Sequence, residues 1–449
     1  MRVAKAENYA QRIEQTSLAP MKKPSTAYYA FVLFLLAIIG WGLYAYITQL
    51  KFGLLMTGMR DYVSWGFYIF SFIFWVGASL CGALVSAILR LTHAHWRTPL
   101  TRIAELVTVA SLINAGLMIS VDVGRPDRLL FLFAYGRFQS PLVWDVIGLL
   151  TYLLGSFVYL YLPLIPDFAL MRDRLKGPAT ALKLKIYTLL AVGWRGTPEQ
   201  RQRLDKAISV LTVMIIPIGI SMHTVTAFTL SMTLRPGWDT AILAPNFVIG
   251  ALFSGATLLL VVMGVYRKFC HLEEYITPKH FRYVSYLGIV LLFSYLYFVV
   301  VEYLTIMFKL RLEEKELFTL LLIGPAAPWF WTFVATAFVL PAILMLYQRG
   351  PTIPRLMLAG VLVNIGMFIK RFVIVVPSLE VPLMPTGFHF FTYSPSWVEI
   401  SIVTMGFAIF ALILTLAAKV LPIMPFVEMI EENELAEHHQ TKGDVGKER

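Results

Sequence analysis

Side chains that could exchange protons lie inside or at the ends of long apolar runs of this chain. The segment SVDVGRPDRLLF, residues 120–131, places Asp122 and Arg125 where one apolar run ends. His223, in SMHTVTAF, lies well inside another run. An aspartate can accept or donate a proton, an arginine can fix its geometry, and a histidine can bond an oxygen atom near physiological pH. These residue types suit a quinone oxygen or a proton relay.

Both features also have a purely structural interpretation. Asp122 and Arg125 are three residues apart near a predicted helix end, so they could pair with each other and fix the loop. His223 could be a core histidine bonded to a neighbouring Ser or Thr. The polar side chains alone therefore do not decide between a binding site and a structural contact.

A second short loop supports the binding interpretation. The stretch LRPGWDTAILAPN, residues 234–246, contains Arg235, Trp238, Asp239 and Asn246. If this loop and the one after Asp122 lie at one membrane face, they frame a polar mouth over an apolar slot. We therefore include Trp238 and Asp239 among the candidate binding residues.

Four further carboxylates fall at span ends or inside spans: Glu105, Asp145, Glu302 and Glu399. Charged groups in a membrane are costly and are usually functional. Desolvated carboxyl groups could exchange protons with water or tyrosine hydroxyls, which would make a proton path. The alternative is that each is an isolated carboxyl satisfied by Arg371, a tyrosine or backbone groups.

The elements that position these residues are apolar helices. The chain has 449 residues, of which 58% are hydrophobic and only 14% charged, so it is a polytopic membrane protein. A span needs roughly 20 continuous apolar residues, and the runs do not alternate as barrel strands do. The sequence predicts an all-α fold with about ten transmembrane helices, at 27–48, 66–89, 103–123, 142–164, 207–233, 246–266, 283–308, 327–347, 356–377 and 397–420.

The order of motifs predicts an internal repeat. Arg102 precedes Asp122 by 20 residues in span 3, and Arg282 precedes Glu302 by 20 residues in span 7. We expect two four-helix bundles, spans 2–5 and 6–9, with flanking single helices. The expected boundaries are an N-terminal segment at 1–26, a membrane domain at 27–420 and a tail at 421–449. Within the membrane domain the first bundle covers about 66–233, the second about 246–377, and the last helix 397–420.

Charge distribution predicts the orientation. Of the 38 Lys and Arg residues, 27 fall on the side that carries both termini. By the positive-inside rule both termini are cytoplasmic, and the loops after Asp122 and Trp238 face outwards. The net charge of +11 is explained by topology and lipid contact, so we expect no nucleic-acid partner.

The cysteines exclude two classes of cofactor. Cys81 and Cys270 form no CxxC or other ligand spacing. The chain therefore cannot hold a cysteine-ligated iron–sulfur cluster alone, and no covalent haem is indicated. A bis-histidine haem needs a second intramembrane histidine facing His223, and none is evident. We expect no metal and no covalently bound cofactor.

An ordered set of motifs resembles the NrfD/PsrC family of quinone-interacting membrane subunits. The motifs are WGFYIFSFIFWVGAS, DVGRPDR followed by SPLVW, HTVTAF followed by WDTAILAPNF, and YSPSWVE, over roughly residues 60 to 400. Asp122 and Arg125 match the DxGRP element, and His223 matches the histidine of HTVTAF. The nearest branches are those of the Qrc and Dsr complexes and of alternative complex III. Relatives of the last often carry histidines where this chain has Leu80 and Asp122, so Asp122 and His223 are the better candidates here.

The resemblance implies a respiratory subunit in a bacterial or archaeal cytoplasmic membrane. It implies a menaquinone or ubiquinone pocket at the outer side of the first bundle, beneath an iron–sulfur partner subunit. Electrons would pass between the nearest cluster and the quinone, with proton translocation as a further expectation. A multihaem cytochrome or a molybdopterin-type subunit is a further candidate partner, and the chain is not expected to act alone.

Two other functions fit parts of the sequence. Repeated bundles and an intramembrane histidine are also found in secondary transporters, and Pro217 and Pro341 interrupt spans 5 and 8. A passive membrane anchor would need none of the intramembrane polar residues.

Overall fold

Ten long apolar helices form the protein in the computed structural model. The structure describes residues 25–92, 94–174, 181–309, 311–347, 352–382, 392–425 and 427–430. Within these ranges, each of ten helices is long and apolar enough to cross a membrane. They are α1 Thr26–Phe52, α2 Phe67–Leu91, α3 Thr98–Asp122, α4 Pro141–Tyr161, α5 Pro198–Ser231, α6 Leu243–Phe269, α7 Pro278–Lys309, α8 Ala327–Leu346, α9 Ile353–Glu380 and α10 Trp397–Val420.

All ten predicted spans are confirmed, and several helices extend beyond their apolar runs. The largest extension is in α5, which begins at Pro198 rather than near 207. Thr197 caps this helix by accepting a hydrogen bond from the Gln200 N–H, and the strong helix formers that follow continue it into polar surroundings. Most of the expected N-terminal segment, and the tail from 431 to 449, lie outside the described residues.

Helix α2 lies at the centre of the packing. It contacts α3 and α5 on one side and α6 and α9 on the other. Helix α10 packs against α1 and α3, so the last span lies beside the first. The helices of spans 2–5 contact one another, as do those of spans 6–9, and the division into two bundles stays a prediction.

A glycine permits the close approach of α2 and α3. A Cβ added at Gly82 would lie 2.1 Å from the Ala104 carbonyl oxygen and 2.3 Å from the Thr108 hydroxyl. The Thr108 hydroxyl in turn donates to the Ser79 carbonyl at 2.9 Å, a bond that depends on this approach. Small residues let membrane helices meet backbone to backbone, and Gly82 has that role here.

Helix α8 contains one turn of π-helix, Ala335–Val339. The Leu340 N–H donates to the Ala335 carbonyl, five residues back. Pro341 has no N–H for the usual bond four residues back, and its ring would crowd that carbonyl. The wider turn accommodates this proline and brings Phe338 into the helix interface, where it stacks on Tyr295.

The segment after α10 folds back onto the Arg102 end of the membrane domain. Arg102 is buried, pairs with Asp167 at 2.7 Å, and donates to the carbonyls of Pro422 and Met424 at 2.9 and 3.0 Å. Glu428 accepts a bond from Arg97 at 2.8 Å and lies 3.6 Å from Arg90. These contacts fix the segment beyond the last span.

The packing of α2 on α3 predicts that alanine substitution at two glycines of these helices has different effects on thermal unfolding. Gly82→Ala should lower the thermal unfolding midpoint, because overpacking of this kind costs about 1–3 kcal/mol. Gly116→Ala is the matched control, since a Cβ at Gly116 meets nothing within 4 Å. It should leave the midpoint unchanged or raise it, because alanine is the better helix former. Equal midpoints for the two variants would contradict this account.

The contact of Glu428 should weaken in acid. Burial alone would raise the pKa of Glu428, but the Arg90 and Arg97 guanidiniums outweigh this effect and hold the pKa below its ordinary value. A lowered pKa means that ionised Glu428 stabilises the fold at pH values above the ordinary carboxyl pKa. This contribution is lost as the pH falls through the lowered pKa. Thermal unfolding of wild-type protein and Glu428→Gln should therefore differ at pH 7 and converge in acid. A difference between the two unfolding midpoints that stays constant as the pH falls would contradict this account of Glu428.

Candidate functional site

Asp122 ends α3 within a group of polar side chains from four elements. Its Oδ1 is buried and has no hydrogen-bond partner in the described part of the chain. The Gln49 amide, on α1, donates to the Val121 carbonyl at 3.1 Å and accepts from the Tyr68 hydroxyl at 2.6 Å. Tyr68 lies within electrostatic range of both Asp122 and Glu399. Gln49, Tyr68, Asp122 and Glu399, with Tyr393, are termed the Asp122 cluster.

Glu399 fixes the geometry of this cluster. Its carboxylate is fully buried and accepts from the N–H groups of Gly58 at 2.6 Å and Ser396 at 2.9 Å, and from the Tyr393 hydroxyl at 2.5 Å. The Tyr393 hydroxyl in turn accepts from the Phe67 N–H at 2.9 Å. Because Glu399 also completes the capping box of α10, one carboxylate joins that helix to the loop before α2.

Arg125 does not pair with Asp122. It binds Asp127 through two bonds of 2.9 and 3.1 Å, and both side chains are more than half exposed. The hydrogen bond from Arg125 lowers the pKa of Asp127. Gly124, between the two candidate residues, has φ of +68°, and a Cβ there would lie 2.9 Å from Leu54, so the turn requires glycine.

The second loop is fixed to the other half of the membrane domain. Trp238 is 2% exposed, stacks on Trp65 at 5.8 Å between ring centroids, and donates to the Ile374 carbonyl at 2.7 Å. Asp239 accepts from Lys309 at 2.9 Å and from Arg311 at 2.7 Å. The structure gives neither residue a contact with the Asp122 cluster.

His223 is enclosed by backbone oxygens rather than by hydroxyls. Its Nδ1 lies 2.8 Å from the Gly219 carbonyl, and its Nε2 lies 2.9 Å from the Val76 carbonyl of α2. A neutral imidazole has one N–H, so it can donate to only one of these two acceptors. One turn further along α5, Thr226 donates to the buried Asp145 at 2.7 Å.

Glu302 belongs to a buried ion pair in the second half of the chain. Lys370 lies 3.1 and 3.2 Å from its two oxygens, and Asn246 donates to Oε2 at 2.6 Å. Glu105 lies at the Arg102 end, where the Ser86 hydroxyl donates to it at 2.7 Å. The hydrogen bonds of the described residues do not join Glu105, Asp145 and Glu302 to one another. The proton path through them stays a prediction.

The sequence reasoning did not identify Gln49, Tyr68 and Tyr393 as site residues. A signal was available for Gln49, which is a polar side chain near the end of the first apolar run. Tyr68 lies inside the WGFYIF motif, yet the motif does not indicate which of its aromatic residues carries the polar contact.

The donor set fits a neutral organic oxygen better than a metal. Within the described ranges, no group of three or more His, Cys, Asp or Glu side chains converges on a point. A buried carboxylate oxygen without a partner can accept from a ligand hydroxyl and, when protonated, can donate to a ligand carbonyl. Tyr68 donates its own proton to Gln49, so its hydroxyl oxygen remains as an acceptor. The Asp122 cluster is therefore the candidate binding site.

Comparisons with known proteins show the family to which the chain belongs. The family model described as polysulphide reductase, NrfD, matches residues 55–382, well over half of the chain. A putative dimethyl sulfoxide reductase membrane subunit of Halobacterium salinarum is 29% identical, with 87% of this chain and 90% of the relative covered. The integral membrane subunit of a menaquinone reductase of Nitratidesulfovibrio vulgaris is 25% identical, with 94% and 96% covered. An Hdr-like menaquinol oxidoreductase integral membrane subunit of Archaeoglobus fulgidus is 24% identical, with 91% and 97% covered. This integral membrane protein belongs to the polysulphide reductase NrfD family.

Proposed function

We propose that this chain is the quinone-reactive membrane subunit of a respiratory oxidoreductase complex. The observation that carries the proposal is the buried Oδ1 of Asp122, which has no partner among the described residues and lies in a cluster of fixed polar groups. Relatives over nearly the whole chain are named as membrane subunits of menaquinone and menaquinol enzymes, which supports the choice of substrate.

The chemistry assigned to the Asp122 cluster is proton exchange at a quinone oxygen. Quinone reduction adds two electrons and two protons to the two carbonyl oxygens. Asp122 exchanges a proton with one oxygen. The Tyr68 hydroxyl, whose proton goes to Gln49, accepts a hydrogen bond from the quinol hydroxyl beside it. Glu399 positions the cluster through its three donors.

The electrons pass to or from a partner on the Asp122 side of the membrane. We assign this side to the periplasm or cell exterior, with both termini cytoplasmic, from the distribution of Lys and Arg. The proposed partner is an iron–sulfur subunit, with a multihaem or molybdopterin-type subunit behind it. The exposed Arg125 is available to meet that partner, as is the nearby Arg128.

The remaining candidates take supporting roles in this proposal. His223 bridges α5 and α2 below the cluster, so it is assigned to positioning or to proton relay. Trp238 and Asp239 fix the second loop, which forms the other side of the mouth.

Asp122→Asn should abolish quinone-coupled turnover while the complex still assembles. General acid–base catalysis contributes about 10²- to 10⁴-fold, so the rate should fall by at least about 10²-fold. Turnover is measured on the purified complex, with assembly checked by the cofactor content of the partner subunits. Asp127→Asn is the matched control, because it removes an exposed carboxylate five residues away and should retain turnover.

Near-normal turnover in Asp122→Asn would remove this residue from the mechanism. A complex with bound partners that never turns over quinone, in wild type as well, would leave only the role of a passive anchor.

Proton translocation through Glu302 is a separate proposal. The motivation is its burial in an ion pair with Lys370 inside the membrane domain. Glu302→Gln in reconstituted vesicles should lower the number of protons moved per electron, because glutamine cannot carry a proton. An unchanged stoichiometry at normal turnover would count against Glu302 as a carrier.

A further inference from the structure

Arg371 is a buried cation in the interior of α9. Its side chain is 2% exposed, and its guanidinium lies over the Phe247 ring at 4.7 Å from the centroid. A Cβ at Gly77 would lie 3.5 Å from its Nη2, with Ala251 just beyond. The guanidinium thus lies at the junction of α2, α6 and α9.

The surrounding charges do not balance. Lys370 has three acceptors, two on Glu302 and one on Tyr303, which match the three N–H groups of an ammonium. The Glu302 oxygens are thereby occupied by Lys370 and Asn246. In the part of the chain that the structure describes, no hydrogen bond or ion pair is found for Arg371, so the group carries one excess positive charge.

Polar atoms near Arg371 are also unused. The Tyr295 hydroxyl and the Asn246 Oδ1 are buried without a partner among the described residues. The side chains of Tyr295 and Arg371 pack on the same turn of α6, since Arg371 lies over Phe247 and a Cβ at Gly250 would lie 2.7 Å from the Tyr295 ring. Tyr295 is thus within electrostatic range of Arg371. The Tyr295 ring is packed between Phe253 and the Phe338 of the π-helical turn, so its hydroxyl has a defined position.

An excess charge at this depth needs a counterion. An arginine does not deprotonate in proteins, so it cannot avoid the cost of burial by becoming neutral. A cation–π contact offsets only part of the cost of burying an unpaired ion. A neutral ligand would leave the charge in place, so the counterion must be an anion.

We propose that Arg371 and Tyr295 form an intramembrane binding site for a small monovalent anion such as chloride. The guanidinium supplies the positive charge and N–H donors, and the phenol supplies an O–H donor. This site is distinct from the Asp122 cluster, and its existence does not depend on the quinone proposal.

The test is the anion dependence of thermal unfolding of the purified complex. At constant ionic strength, replacing gluconate with chloride should raise the unfolding midpoint with a saturating dose dependence. Arg371→Gln should abolish this dependence. Arg203→Gln is the control, because it makes the same change of charge at an exposed position of α5 and should retain the dependence.

Two further measurements cover the case in which Arg371→Gln does not fold. Tyr295→Phe keeps the ring packing and should raise the half-saturating chloride concentration about tenfold, the effect of losing one hydrogen bond to a charged group. Crystals of the wild-type complex grown with bromide should show an anomalous peak beside Arg371. A midpoint that does not depend on the anion, a dependence retained in Arg371→Gln, or bromide absent from this position would overturn the proposal.

Discussion

The absence of water in the hydrocarbon core is the constraint on which the rest of this structure depends. Every buried charge must be satisfied by the protein, and the described residues show how this is done. Arg102 binds Asp167 and three backbone carbonyls, Glu302 binds Lys370 and an amide, and Glu399 accepts from three donors. Each solution joins segments that are distant in sequence, so the satisfaction of charge also determines which helices are neighbours.

Buried polar groups without a hydrogen-bond partner are therefore informative. The Asp122 carboxylate lies at the end of a span, close to the loops and beside fixed donors, which suits a ligand that enters and leaves. Arg371 and the Tyr295 hydroxyl lie between packed helices, which suits a small ligand that stays. The two candidate sites thus differ in character, although both are marked by a polar atom without a partner among the described residues.

Apolar composition was sufficient to predict the helices, because twenty continuous apolar residues have few alternatives in a membrane. The ordered motifs were sufficient to predict the family. The detailed site was harder to predict, since it combines residues that are distant in sequence. Gln49 of the first span bonds Tyr68 of the second, and Glu399 of the last span bonds the loop before the second. Arg125 was expected to reach Asp122, yet the positive φ of Gly124 turns the chain, and Arg125 pairs with the nearer Asp127 instead. That the second loop lies at the same mouth stays a prediction, and the structure shows that its Trp238 donates to a carbonyl of α9.

The carboxylate of Glu399 has a consequence for biosynthesis. Its bond to the Gly58 N–H spans 341 residues of sequence, and the bond from the Phe67 N–H to Tyr393 spans 326. Gly58 and the whole of α2 leave the ribosome long before α10 is synthesised. For most of translation, Glu399 and Tyr393 are therefore not yet present to accept from these N–H groups. The Asp122 cluster therefore closes only after the last span has inserted.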